Sequence, residues 1–482
     1  MLDYLRLVSL GCLAVTLSLI SSAISSAADY VVVVSAATKS DAEWAKVVEA
    51  LVAKHQAEVV TYDKNVSETL PALTKTFPRH VCFVATSAEA GRQLVADVHR
   101  LTRKLDDDPY TDVLWGILTG YDAANALQIA QENKPLVVKR VASGTELAMD
   151  RVSEGVWYCE LEQNRMVRKA KGEEAKQDKG PSDTTKALAD TLTDYKADLF
   201  VTSGHATERD WQIGFRYRNG TFQSKAGELF GVDTKGQKIP IHSDNPKVYL
   251  PIGNCLMGHI DGPDAMALAF MKSAGVRQMV GYTVPTWYGY SGWGCLDYFV
   301  EQPGRYTFAE AFFANQHALI ERLETNFPDM AKLDTPPGSF PRTKGSLTDI
   351  AKKAGLTQQD GMGLLHDRDV VVLYGDPAWD AKMARGKLSY EQTFTEVADG
   401  IYAFDIKPLL GEKSFEPVNT NGAQRGWRPI VQLFPERLKD IEIITGRELS
   451  PVITDNFILI PNPKTCDPNK SYRVEFKATK VK

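Results

Sequence analysis

The sequence predicts an α/β fold on a mostly parallel sheet in two subdomains flanked by helices, with a small β-sandwich at the C-terminal end. Three observations predict it. Short apolar runs rich in β-branched residues alternate with helical patterns from Tyr30 to about Asp150, and again from Gly155 to Tyr374. Such alternation implies right-handed crossovers and a sheet covered on both faces. After about Lys387 the pattern changes to strand-like runs separated by Pro, Asn and Gly. At 482 residues the chain is also too long for one ordinary core.

The N-terminal stretch reads as an address. Arg6 precedes an apolar run over 7–20 and a small-residue segment over 21–28. This is the layout of a secretory signal peptide with cleavage after Ala27 or Ala28. The run is shorter than the roughly 20 residues that a membrane span needs. Residues 1–28 are therefore expected to be removed. The remainder is expected to be exported (periplasmic, cell-surface or extracellular) with no stable membrane insertion.

Residues 29–150 are expected to form the first subdomain. Its strands fall at 30–35, 58–62, 80–85 and 112–118, and its helices at 41–54, 70–77, 88–104 and 122–132. Residues 151–387 form the second. A strand at 155–161 leads into a charged stretch, 169–181, read as an exposed loop, and then a helix at 184–195. Strands over 197–204 and 247–254 end at His205 and Cys255, followed by a helix at 264–274, a strand at 278–284 and a helix at 308–323. A strand at 370–374 runs into Gly375-Asp-Pro377, where Asp376 reads as a turn former. Residues 388–482 carry strand-like runs at 401–406, 441–444, 457–460 and 472–476, the sandwich.

Composition narrows the function classes. Hydrophobic content of 43% and charged content of 24% are those of a globular protein. The net charge of -5 is spread along the chain without a basic block, so nucleic acid is not an expected partner. Six cysteines become five once the leader is removed, an odd number, so at least one thiol is free or pairs between chains. A free thiol in an oxidising compartment needs a reason. Cys82, inside the apolar run His80-Val-Cys-Phe-Val-Ala85, has the character of an inert core residue.

Cys255 does not. In open α/β sheets ligands bind beyond the carboxyl ends of the strands. The runs Ala197-Asp-Leu-Phe-Val-Thr-Ser-Gly-His205 and Lys247-Val-Tyr-Leu-Pro-Ile-Gly-Asn-Cys255 deliver an imidazole and a thiol there. A cysteine nucleophile needs thiolate character, a base or cation nearby, and donors for the oxyanion. Gly253 lets the backbone turn sharply and expose the sulfur, and the Cys255 N–H becomes one oxyanion donor. His205, His259, Asp261 and Asp264 could be imagined as a metal site, but they lack the spacing of common zinc motifs. Neither metal nor cofactor is expected.

On these residues the chain resembles the gingipain family of secreted cysteine peptidases, in the caspase-like clan. Ser203-Gly-His-Ala-Thr-Glu-Arg-Asp-Trp211 resembles that family's Gly-His-Gly strand end, and Pro251-Ile-Gly-Asn-Cys-Leu-Met-Gly258 its cysteine turn. Met279-Val-Gly-Tyr-Thr-Val-Pro-Thr-Trp287 is similar to the next strand with its substrate-pocket tryptophan. Trp115-Gly-Ile-Leu-Thr-Gly120 and Tyr374-Gly-Asp-Pro377 match in the same order. The histidine precedes the cysteine by 50 residues, the order and rough distance of caspases.

The resemblance implies a caspase-like fold and a cysteine endopeptidase acting on a protein or peptide through a thioester. Cys255 would be the nucleophile and His205 its base. The N–H groups of Cys255 and Ala206 would form the oxyanion hole. Trp287, with Tyr288 beside it, would wall the pocket for the residue preceding the scissile bond. Glu160 and Glu162, on one face by strand periodicity, are the nearest candidates for the supporting acid. Trp287, Tyr288, Tyr290 and Trp293, interleaved with glycines, read as a loop suited to contacting a ligand chain.

Two departures stand out. Ala206 replaces the family's glycine, and the acid that gives some members their preference for arginine has no counterpart between Gln163 and Lys176. Substrate preference therefore does not carry over. An inactive member of the same fold that binds a peptide or protein, and another acyl-transfer enzyme such as a transpeptidase or amidase, remain alternatives.

Overall fold

Twelve strands form one sheet in the spatial order Glu58–Tyr62, Tyr30–Ser35, His80–Val84, Leu114–Leu118, Val371–Tyr374, Val276–Tyr282, Lys247–Pro251, Leu199–Thr202, Arg140–Ser143, Glu154–Tyr158, Arg165–Lys169 and Lys176–Lys179. The computed structural model describes residues 29–342, 345–422 and 424–481. The signal peptide expected over 1–28 lies outside the described residues.

Pairing is parallel except at three places. Val371–Tyr374 runs antiparallel to Val276–Tyr282, and the last two strands fold back at one edge. Val371–Tyr374 also joins the two halves of the sheet, through Tyr374 opposite Ile117. Arg140–Ser143, which precedes residue 150 in the chain, takes its place in the second half.

The central strands are buried from end to end, as a sheet covered on both faces requires; in Tyr30–Ser35 and Val276–Tyr282 no residue is exposed. Helix Ala42–His55 begins at Asp41, whose carboxylate accepts the N–H groups of Glu43 and Trp44. It packs with helix Ala123–Ala130. Helix Phe308–Asn326 starts from a capping box between Thr307 and Glu310 and lays Phe312 and Phe313 edge-on against Trp115.

Several segments differ from the sequence reading. The supposed loop at 169–181 belongs to an edge ribbon made by the half-buried Arg165–Lys169 and by Lys176–Lys179, whose mostly exposed polar side chains hide any strand pattern. An unanticipated antiparallel meander follows the histidine: Asp210–Gln212, Thr221–Lys225, Glu228–Val232 and Lys238–Ile241. The aromatic and glycine-rich stretch is not a loop beyond Gly289. Tyr290–Phe299 is a helix with every residue buried. Its Gly292 lies so close to the Ile252 carbonyl that a Cβ could not be accommodated, so the glycine lets the helix pass under the cysteine turn. Tyr390–Ala398, Ile430–Leu433 and Val452–Ile453 are further strands in the C-terminal part.

There, Tyr390–Ala398, Ile401–Pro408, Tyr472–Lys480 and Leu438–Thr445 form one antiparallel sheet, and Ile430–Leu433, Phe457–Ile460 and Val452–Ile453 another. They share a core that includes Phe404, Phe434, Ile458 and Phe476. A buried ion network docks this module: Arg425 and Arg428 both bind Asp297, and Arg425 also binds Glu301.

Asp376 is more than a turn former. Its carboxylate is buried and accepts from Tyr30 Oη at 2.8 Å, Lys54 Nζ at 2.9 Å and His55 Nε2 at 2.7 Å. Burial pushes the carboxyl up, but the His55 hydrogen bond and the Lys54 charge outweigh it and hold the group well below the usual carboxylate range.

Candidate active site

The parallel strands Leu199–Thr202, Lys247–Pro251 and Val276–Tyr282 are neighbours, so their carboxyl ends open onto one edge of the sheet. Thr202 pairs with Pro251, and the Ile252 N–H donates to the Thr202 carbonyl. Beyond that last rung the chains carry Gly204-His205-Ala206 and Gly253-Asn254-Cys255.

Asn254 ties them together. Its side chain is fully buried, accepts from Thr202 Oγ1 at 2.7 Å and donates from Nδ2 to the Gly204 carbonyl at 3.0 Å. The residue before the cysteine is thus hydrogen-bonded to the residue before the histidine. Gly204 has φ +100°, a region favouring glycine, and so permits the turn into His205.

Cys255 is distinguished by its setting. The five described cysteines are free thiols, and the other four are buried while Cys255 is half-buried. Burial pushes the Cys82, Cys159 and Cys295 thiols up, which leaves them inert. The Cys255 sulfur accepts the Thr286 N–H at 3.2 Å. Thr286 also donates its hydroxyl to the Asn254 carbonyl, so the third strand end grips the same turn.

Leu256, immediately after, sits at φ +60°, a strained conformation for a leucine, and its N–H donates to the Val284 carbonyl. Trp293 packs beneath Gly253, and the C-terminal module's Gly422 lies on the same indole.

His205 is exposed and its ring lies 4.8 Å from that of Phe215. No hydrogen bond to the imidazole is present among the described residues. Ala206 faces Trp211 across an antiparallel bridge whose bonds run from Gln212 N–H to the His205 carbonyl and from Thr207 N–H to the Asp210 carbonyl. The Ala206 N–H therefore takes no part in that ladder. Like the Cys255 N–H, it has no acceptor among the described residues.

The remaining sequence candidates separate. Glu160 and Glu162 do not share a face, because the strand ends at Tyr158 and both lie in the turn that follows. Glu162 is exposed and pairs with Arg165 at 2.9 Å. Glu160 is buried and accepts from Thr145 Oγ1 at 2.6 Å, with its second oxygen unpartnered. Burial raises its carboxyl pKa despite the Thr145 bond. Among the described residues neither acid is hydrogen-bonded to His205. The Glu160 backbone carbonyl instead accepts the Phe215 N–H, holding the ring that supports the histidine.

Trp287 is 39% exposed beside the cysteine turn. Tyr288 is buried and bonds Asp360 at 2.9 Å, so it is a packing residue and not a pocket wall. Tyr290 and Trp293 are likewise buried.

Among the described residues two side-chain groups have ligand atoms close enough to share a cation. His259 and Asp261 come together with Glu208, not with His205 or Asp264. That group is already neutralised: Arg209 holds Asp261 through two bonds of 2.7 and 3.0 Å, and Arg92 lies 3.0 Å from His259 Nδ1. These contacts clamp the loop after the histidine to the loop after the cysteine. Asp106, Asp108 and Asp112 form the other group, where burial, with the neighbouring carboxylates, pushes Asp112 up to about 9.

No family model and no curated protein matches the chain. Among solved structures, the complex of Porphyromonas gingivalis RgpB pro- and mature domains is similar, with a TM-score of 0.40 and 11% identity over 94% of this chain and 100% of that chain. A likeness of that size assigns neither fold nor activity. The architecture and the site stand on their own geometry.

Sequence reasoning missed Asn254, Thr286 and Phe215. Asn254 was legible as part of Gly253-Asn-Cys255, between a glycine and a thiol. The other two act through a backbone N–H and a ring placed by the fold, for which the sequence carries no signal.

Proposed function

We propose that the chain is an exported cysteine endopeptidase in which Cys255 and His205 act as a dyad. The observation that carries this is the Asn254 bond to the Gly204 carbonyl, which holds the two strand ends side by side. The Cys255 thiolate, receiving the Thr286 N–H, attacks the peptide carbonyl. Negative charge gathers on the carbonyl oxygen, and the unpaired N–H groups of Cys255 and Ala206 are the donors for it. The His205 imidazolium gives its proton to the leaving amine as the C–N bond breaks, leaving a thioester. His205 then takes a proton from water, whose oxygen displaces the sulfur and releases the carboxylate product. Among the described residues no helix is long and apolar enough to cross a membrane.

The test is hydrolysis of a peptide library by the wild type, Cys255→Ala and His205→Ala, with intact-mass detection of the thioester. Cys255→Ala is expected to abolish cleavage, and unchanged cleavage in that variant removes the proposal.

One observation favours a second reading, a peptide-binding module without turnover. Among the described residues no carboxylate is hydrogen-bonded to His205, and one oxygen of Glu160 is held by Thr145. On that reading the chain retains a peptide at this edge, and no thioester forms.

A further inference from the structure

A cavity of about 440 Å³ lies where the C-terminal module meets the α/β body. The body lends it the residues leading into strands His80–Val84 and Leu114–Leu118, and His317 from helix Phe308–Asn326. The module lends it the turn at 433–437. Cys255, His205, Asn254 and Thr286 do not border it. Ligand sites favour such domain boundaries, in clefts of this size with apolar walls and a few polar groups.

His317 is the unusual polar group. It is 1% exposed, lies face to face with Phe457 at 4.1 Å and stands edge-on to Tyr110. No hydrogen bond reaches its imidazole among the described residues. Buried polar groups are nearly always paired, so this ring has hydrogen-bonding capacity that the fold itself leaves unused. Burial brings its pKa down to about 3, so at neutral pH it carries no charge and offers one N–H and one lone pair.

The charged side chains around the cavity are engaged or balanced. Arg437 binds Asp455 and lies over the Phe77 ring. Arg79 donates to the Phe434 and Pro435 carbonyls and faces Glu310 at 3.8 Å, and Glu436 pairs with Lys480 at 3.0 Å. Asp112 accepts the Leu105 N–H and, pushed up to about 9 by burial and its acidic neighbours, is protonated at neutral pH. Lys75 and Asp29 remain, one of each sign. A charged ligand would lose its water here for no net counter-charge. The walls between are apolar, with the phenyl rings of Phe77 and Phe434 beside Leu114 and Leu433.

We propose that this cavity binds a small uncharged aromatic compound bearing one hydroxyl group, with the hydroxyl on His317 and the ring between the apolar walls. A hydroxyl both donates and accepts, so it satisfies either tautomer of the imidazole. The proposal does not rest on the peptidase reading.

Three probes of one shape test it: para-fluorophenol, para-fluorotoluene and para-fluorobenzoate, which carry a hydroxyl, a methyl and a carboxylate in the same place. Their affinities for the protein at pH 7 are read by fluorine NMR. The phenol is expected to bind about tenfold more tightly than the toluene, which leaves His317 bare, and the benzoate more weakly than either. His317→Phe keeps the stack on Phe457 and removes the nitrogens, so the phenol and the toluene are expected to become equal in it. His317→Leu serves the same purpose if the first variant does not fold. Equal binding of phenol and toluene to the wild type overturns the proposal, as does a benzoate that binds most tightly. A phenol preference that survives the loss of His317, or no binding of the phenol at about 10 mM, overturns it as well.

Discussion

Replacing Asn254 by alanine tests the arrangement of the site most directly. The side chain is fully buried and makes two hydrogen bonds, one from Thr202 Oγ1 and one to the Gly204 carbonyl. Each is worth about 0.5–1.5 kcal/mol net, and a buried partner left bare costs about 1–3 kcal/mol. Thr202 Oγ1 keeps its second contact with Tyr249 Oη at 2.9 Å, so only the Gly204 carbonyl is orphaned. The expected loss is therefore about 2–4 kcal/mol, which for a chain this long lowers the melting temperature by roughly 2–4 °C. Cleavage should fall further than stability, about 10–100-fold, because the strand ends carrying the thiol and the imidazole lose their tie. Thermal unfolding by circular dichroism and peptide hydrolysis measure the two effects. Asn254→Asp adds a control: it keeps the acceptor for Thr202 but sets a second acceptor against the Gly204 carbonyl, a clash relieved only when the carboxyl is protonated. That variant should regain stability as pH falls. If Asn254→Ala unfolds within about 0.5 kcal/mol of the wild type and cleaves at the same rate, the coupling lies elsewhere.

Two further outcomes concern the scaffold. Asp376→Asn removes a carboxylate whose folded pKa is depressed by His55 and Lys54. Such a group stabilises above its unfolded pKa of about 4 and loses that contribution as pH falls towards its folded value. Breaking the buried pair should cost about 3–5 kcal/mol at pH 7. The variant's denaturation midpoints measured from pH 7 down to pH 3 should converge on the wild type's, and a constant gap would contradict the linkage. Arg425→Ala strips the buried Asp297 and Glu301 of a shared counter-ion, again about 3–5 kcal/mol. Because Arg425 also lies 5.0 Å over Trp293, limited proteolysis should show cleavage in the 409–429 segment, and peptide hydrolysis should fall with it. An uncut segment with full activity would mean the module docks without this network.

How much was legible in advance differs from region to region. Strands such as Tyr30–Ser35 and Val276–Tyr282 were readable because burial on both faces demands continuous apolar runs, and those runs are local. The edge ribbon hides from the sequence, since Lys176–Lys179 faces water and Arg165–Lys169 is half-buried with only Met166 and Val167 apolar, so both owe their strand form to pairing with a partner, not to composition. The helix Tyr290–Phe299 was missed for the opposite reason. It is buried all round, so it shows no amphipathic period, and its glycines serve close packing against Ile252 and Asn315.

The same division holds at the site. By itself the sequence determined that a histidine and a cysteine end two apolar strands, because a strand's burial and the small residues that stop it are written in consecutive positions. Only the tertiary structure decided that these strands are neighbours and that Asn254 bridges them. It alone put Phe340 against Trp287 and turned Glu160 away to Thr145. The physical reason is range: hydrogen bonding and ring packing act over a few ångströms, and which residues come that close is set by crossovers that span tens of residues.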